Sequence, residues 1–330
     1  MKKTTMVLSA LMMALVNTTG CSNTGTKFAL PQQNEQFSGQ TFYNNKVDML
    51  FVVDNSKSML QYQQRLAAKV GDMVDTLNSL GMDYRIGVTT STMAKTSDYP
   101  SARKLVGNPV YLTSANVNLL ADRIIVGESG SDLERSLDAM KLVTSPDFSG
   151  QFLRSDALFS VIFISDEVDQ SSEFGNPDSN DFVNYLNTRK PLFDDGTRGW
   201  IANYIGILTN QSCDSLGGHV SIGTQFNKLV DASNGVKSSI CAADLSSAVA
   251  NIKARIISQL TSYRFGDVPN KATIQVTVGG KAISEDSANG WTLETEVNGA
   301  TTVYLLKFHG EAIPAANEQV TVNYKPNGAT

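Results

Sequence analysis

The chain has 330 residues, 41% of them hydrophobic, which is enough to bury one large core and a smaller second one. Its charged fraction is 18% and its formal net charge −5, with no Lys/Arg-rich block, so nucleic acid is not an expected partner. The two histidines, His219 and His309, stand in turn-like stretches with no Ser or Cys nucleophile motif beside them, and there is no Walker-type loop, so triad and nucleotide-hydrolysis chemistry find no support.

Met1-Lys2-Lys3 is a short positive start, and "MVLSALMMALV" (6–16) is an apolar segment of signal-peptide length, short for a bilayer span. "TTG" then leads into Cys21. This resembles the lipobox of bacterial lipoproteins, with Thr18 where that family usually has leucine. A plain secretory signal cleaved nearby is the other reading. The resemblance implies removal of residues 1–20 and anchoring through acyl chains on Cys21, stable when there are two or more. Ser22, not Asp, follows Cys21, which in enterobacterial lipoproteins implies the outer membrane, on its periplasmic side or at the cell surface. Residues 21–45 are rich in Asn, Gln, Thr, Ser and Gly and read as a flexible tether.

From residue 46 the pattern is that of a folded domain. "VDMLFVV" (47–53) is a buried strand. The segment 59–81 carries apolar residues at helical spacing (Leu66, Val70, Met73, Val74, Leu77, Leu80) and stops at Gly81. A strand over 83–90 follows. "SDLERSLDAMKLV" (131–143) reads as a helix opened by Ser131 with Glu134 three residues on, a capping-box pattern. Strands over 157–165 and 200–208 alternate with helices over 182–190, 224–235 and 242–260. This order predicts an α/β fold with a doubly wound, mostly parallel sheet over 46–265, whose ligand site lies at the carboxyl ends of the strands. Residues 266–330 alternate apolar and polar positions between Gly-Gly, Asn-Gly and Pro. They predict a small C-terminal antiparallel β extension. Cys213 and Cys241 remain as a pair. An exported chain would join them across about 28 residues, worth about 3–4 kcal/mol on the chain-entropy account; two separate buried thiols are the alternative.

"FVVDNSKSM" (51–59) ends the first strand with Asp54, Ser56 and Ser58 at alternate positions, and "FISDEVD" (163–169) ends a later strand with Asp166. Alternate residues of a strand-end turn can converge, and their hydroxyl and carboxylate oxygens suit hard cations. Either serine could instead cap the following helix. Asn55 and Lys57 are expected to face away from the convergence point, and Glu167 and Asp169 read as surface charges.

The arrangement strand–Asp54-x-Ser56-x-Ser58–helix, with "VIFISDEVDQSS" further on, resembles the metal-ion-dependent adhesion site of von Willebrand factor A domains, over about residues 47–262. The resemblance implies direct ligation by Ser56, Ser58 and a hydroxyl before a later helix, here Ser131 with Ser129 as the fallback. It gives Asp54 and Asp166 roles through bound water. It implies a divalent cation, Mg²⁺ first, with Ca²⁺ or Mn²⁺ as alternatives. Its partner would be a protein or extracellular-matrix ligand presenting Asp or Glu. The expected function is therefore cation-dependent adhesion without turnover. The alternatives are an envelope assembly factor with a fold-stabilising metal and, further off, a metal-dependent hydrolase.

Overall fold

The computed structural model describes residues 44–148, 151–171, 178–194, 196–209, 213, 221–298, 301–316 and 318–328. The signal segment 1–20, Cys21, nearly all of the tether and His219 lie outside the described residues.

The α/β part is built on a five-stranded parallel sheet in the order β2-β1-β3-β4-β5. Its strands are β1 (Lys46–Val53), β2 (Asp83–Thr90), β3 (Leu158–Ser165), β4 (Trp200–Gly206) and β5 (Lys237–Ser239). β1 is central, paired in parallel to β2 on one side and β3 on the other. Its continuous apolar run is explained by burial on both faces. Met49, Phe51 and Val53 point into one core, while Leu50 and Val52 point into the other. The first core is closed by α1 (Leu60–Ala67), α2 (Val70–Ser79), α3 (Leu120–Ile124) and α7 (Ser246–Thr261). The second is closed by α4 (Ser136–Thr144), α5 (Ser179–Arg189) and α6 (Thr224–Ser233). Helices on both faces make the sheet doubly wound, as expected.

Two expected helices differ. The segment 59–81 is two helices, not one. At the break, Ala68 N donates to Gln64 O (3.1 Å) and Lys69 N to Leu66 O (2.9 Å), a tightened turn that re-aims α2. The apolar spacing survives the break because both pieces face the same core. Gly81 (φ +67) ends α2 in the left-handed conformation expected of it.

The helix expected to open at Ser131 begins at Ser136 instead. Its first turn has no capping side chain of its own. It is capped from across the sheet edge: Leu137 N donates to Asp169 Oδ2 (3.0 Å) and Asp138 N to Ser171 Oγ (3.1 Å). Asp169 is accordingly buried, not a surface charge.

The C-terminal extension forms two three-stranded antiparallel sheets, β6-β10-β9 and β11-β7-β8. Here β6 is Tyr263–Arg264, β7 Gln275–Val278, β8 Lys281–Ile283, β9 Trp291–Asn298, β10 Thr301–Phe308 and β11 Val320–Asn323. The β7–β8 turn uses Gly279 and Gly280, both at positive φ (56° and 80°), as a two-residue hairpin requires. Phe265, Val276, Trp291, Leu306, Phe308, Val322 and Tyr324 give this part its own core. β6 follows α7 directly and pairs with β10, so extension pairing begins at Tyr263. Cys213 and Cys241 are disulfide-bonded, with Cα atoms 5.1 Å apart.

Candidate metal site

At the carboxyl end of β1 the ladder runs one residue past the strand, with Asp54 N donating to Ile164 O at 2.9 Å. Asp54 is fully buried. Its Oδ1 accepts from Ser56 N (2.9 Å), which folds residues 54–56 into a tight turn, and its Oδ2 accepts from Ser165 Oγ (2.7 Å) at the end of β3. Within that turn the hydroxyls of Ser56 and Ser58 lie 3.4 Å apart. Neither caps the next helix: the residue preceding α1 is Met59, and it makes no side-chain cap. The alternate spacing of the three residues therefore brings oxygens together, as the sequence predicts.

Asn55 does not face away. It is buried, and its side-chain oxygen accepts from Thr92 Oγ1 at 2.9 Å. Its backbone oxygen accepts from Gly130 N at 2.8 Å. A Cβ on Gly130 would collide with Asn55, so only glycine permits this approach. Thr92 Oγ1 also accepts from Ser131 N (3.0 Å), so a single hydroxyl ties Asn55 to Ser131. Ser131 Oγ, for its part, accepts from Leu133 N (3.1 Å). Gln63 locks the loop from beneath: its amide donates to Asp54 O and Gly127 O and accepts from Gly127 N, all near 3 Å. Lys57 alone in this segment is exposed at the rim.

Asp166 follows the last residue of β3 and is buried. The sequence did not point to Glu134, which sits in the same acidic group. Read as a helix-capping side chain, it instead forms a β-bridge with Thr92 and is 2% exposed. Its Oε2 has no hydrogen-bond partner among the described residues. Burial, and then the charges of Asp54, Glu167 and Asp166, push its carboxyl up to about 10. Burial likewise lifts Asp54 to about 6, with Asp166 adding to it and the Ser56 amide opposing it. Neither Asp54 nor Glu134 makes an ion pair among the described residues. Their ionised forms are costly without a cation. The only signal for Glu134 was a glutamate three residues after Ser131, which the capping reading absorbed.

Among the described residues no group of three or more His, Cys, Asp or Glu side chains is arranged to hold a metal. The donor set is mixed: serine hydroxyls with buried carboxylates, a chemistry that fits a hard divalent cation. The orphaned, buried Oε2 of Glu134 agrees with that fit. Ser129 lies in the same loop but makes none of the contacts that join Ser131 to Asn55.

No protein-family model matches the sequence, and no curated protein matches it. Among solved structures, the fold is similar to proximal thread matrix protein 1 from the mussel byssus, at 15% identity and TM-score 0.40, over 67% of this chain and 50% of that one. It is also similar to the pilus adhesin SpaC from Lactobacillus rhamnosus GG in its open conformation, at 13% identity and TM-score 0.42. That match covers 88% of this chain and 39% of the adhesin, so the chain spans half or less of the length of either structure. The likeness is coarse, and no residue role is carried across from it.

Proposed function

We propose that this protein is a divalent-cation-dependent interaction protein of the cell envelope, of the von Willebrand factor A type. Ser56, Ser58 and Ser131 would ligate the cation, with Asp54, Asp166 and Glu134 around it. Mg²⁺ is the first choice, ahead of Mn²⁺ or Ca²⁺. The observation that carries this reading is a pair of buried carboxylates, Asp54 and Glu134, grouped with converging serine hydroxyls at the strand ends and without an ion-pair partner among the described residues. A resident cation would supply the missing charge and could accept a carboxylate from a partner protein or matrix ligand. Once a bound cation displaces its proton, the buried Glu134 would make the site more anionic than the motif alone implies, favouring tighter cation retention and a weaker grip on the partner's carboxylate. The role is binding, not turnover.

The Cys213–Cys241 bridge supports export, since such bonds persist in oxidising compartments. No helix among the described residues is long and apolar enough to cross a membrane. Attachment through a lipid on Cys21 would then place the domain at the outer membrane.

The deciding experiment titrates Mg²⁺ and Mn²⁺ calorimetrically into chelator-stripped wild type and Asp54→Ala, followed by pull-down from envelope extract with Mg²⁺ or EDTA. Cation binding lost in the variant, with a partner released by EDTA, is the expected outcome. Equal binding in both proteins would sink the metal reading. A melting temperature that falls sharply in EDTA with no EDTA-sensitive partner would favour the assembly-factor role.

A further inference from the structure

A second polar cleft lies at the other end of the sheet. It is a cavity of about 340 Å³ between the α/β part and the β9–β10 hairpin. Arg198, just before β4, Arg255 on α7, Arg264 on β6 and Lys307 on β10 line it; the carboxylates among its described lining residues are Asp231 and Glu296, and Lys307 is also paired to Glu294 at 2.7 Å. Both carboxylates already have partners, with Asp231 bonded to Lys237 at 2.6 Å and Glu296 lying 3.5 Å from Lys307. Arg198 and Arg255 make no salt bridge among the described residues.

A structural duty accounts for part of this cluster. Arg255 Nε donates to Asn234 O (2.6 Å), and its Nη groups reach Gln259 Oε1 (2.8 Å) and Ser233 O (3.4 Å), which satisfies carbonyls at the end of α6. A guanidinium has five N–H donors, so two of its own remain. Arg198 uses one donor, to Asn187 Oδ1 (3.3 Å), and is held over the Trp200 ring at 5.3 Å. Gly196, at φ +75, has no side chain to obstruct Arg264, whose Nη1 a Cβ there would strike. Burial lowers the pKa of both Arg198 and Arg255, a cost that a bound anion would offset. Gln259 and Thr197 add neutral polar groups to the same wall.

We propose that this cleft binds an oxyanion carried on a sugar-sized, hydroxyl-bearing ligand, with Arg198 and Arg255 as the principal contacts. Paired planar guanidiniums suit the oxygens of a phosphate or carboxylate, and the neutral side chains suit hydroxyls. The cleft is remote from the strand ends that carry the candidate cation site, so the inference stands whether or not a cation binds there.

The test is calorimetric titration of hexose 6-phosphate, a hexuronate and the uncharged hexose into the full-length protein in EDTA at low salt. At least one anionic sugar is expected to bind at least 10-fold more tightly than the hexose, and the tighter anion identifies phosphate or carboxylate as the source. Arg198→Gln, at the half-buried rim, is expected to weaken that binding at least 10-fold with an unchanged melting temperature. Arg255→Gln is expected to do the same, with its fold checked separately because it caps α6. Asp54→Ala is expected to bind the anion as wild type does. No preference for either anion over the hexose, or undiminished binding in Arg198→Gln, overturns the proposal.

Discussion

Ser165 Oγ donates to Asp54 Oδ2 at 2.7 Å, joining the end of β3 to the end of β1. The same hydroxyl accepts from Glu167 N (3.1 Å), so one serine orients the first aspartate and shapes the turn that follows Asp166. Ser165→Ala leaves a buried carboxylate oxygen short of a donor, at a cost of about 1–3 kcal/mol. A misaimed Asp54 would further lower cation affinity by about 10–100-fold. Urea unfolding in EDTA and calorimetric Mg²⁺ titration read the two effects separately.

Glu134→Gln replaces a carboxyl that burial and its acidic neighbours hold protonated in the metal-free protein, and one that a bound cation would ionise. At pH 7 the metal-free variant is expected to melt close to wild type, because an amide takes the place of a carboxyl that is already neutral there. Its gain on adding Mg²⁺ is expected to shrink. Melting curves of both proteins with and without EDTA check this; an unchanged EDTA response would show that Glu134 plays no part in the site.

Asp48 is buried inside β1 and is held by Arg154, whose N lies 2.6 Å from Oδ2 and whose Nε lies 2.9 Å from Oδ1. Arg154 also bonds Asp83 on β2, so it clamps two neighbouring strands. Arg154→Ala strands a buried charge, and a loss of about 3–5 kcal/mol is expected in denaturant unfolding. Asp83→Ala touches only the exposed end of this network and is expected to cost about 0–1 kcal/mol.

Lys190 is 1% exposed, with Nζ donating at 2.8 Å to the carbonyls of Arg154 and Ser155. Burial, partly opposed by Asp48, lowers it from 10.5 to about 8. The unfolded chain keeps this proton up to its ordinary pKa, while the folded chain releases it near 8. Unfolded molecules thus hold more protons between about 8 and 10.5, and stability rises with pH across that window. Below it both states are protonated and the burial cost stands in full, on the order of 3 kcal/mol. Urea unfolding at pH 7, 8, 9 and 10 is expected to show this rise in wild type, relative to Lys190→Met.

The Cys213–Cys241 bond closes a loop with a sequence separation of 28. Cys241→Ser is expected to lower stability by about 3–4 kcal/mol, and a reducing agent to do the same to wild type and nothing further to the variant. Paired unfolding curves with and without reductant check it.

The sequence by itself determined the parallel sheet, because a strand buried on both faces must be apolar at nearly every position, and β1 and β3 are, apart from Lys46, Asp48, Ser160 and Ser165. Strand-end placement and alternate spacing also made Asp54, Ser56 and Ser58 legible, since a turn turns i, i+2 and i+4 toward one another through local geometry alone. Where an apparent local signal had a remote answer, the sequence misled. Ser131 and Glu134 matched a capping box, yet α4 takes its cap from Asp169 and Ser171 more than 30 positions away. Glu134 was freed by that exchange to turn inward and bridge Thr92. Asn55 was drawn inward by Thr92 and Gly130, which no spacing rule connects to it. Chain-local rules fix which residues can form a strand or a turn; which buried polar group satisfies which other is fixed by packing across the sheet edge, where unpaired donors and carboxylates are too costly to leave to chance.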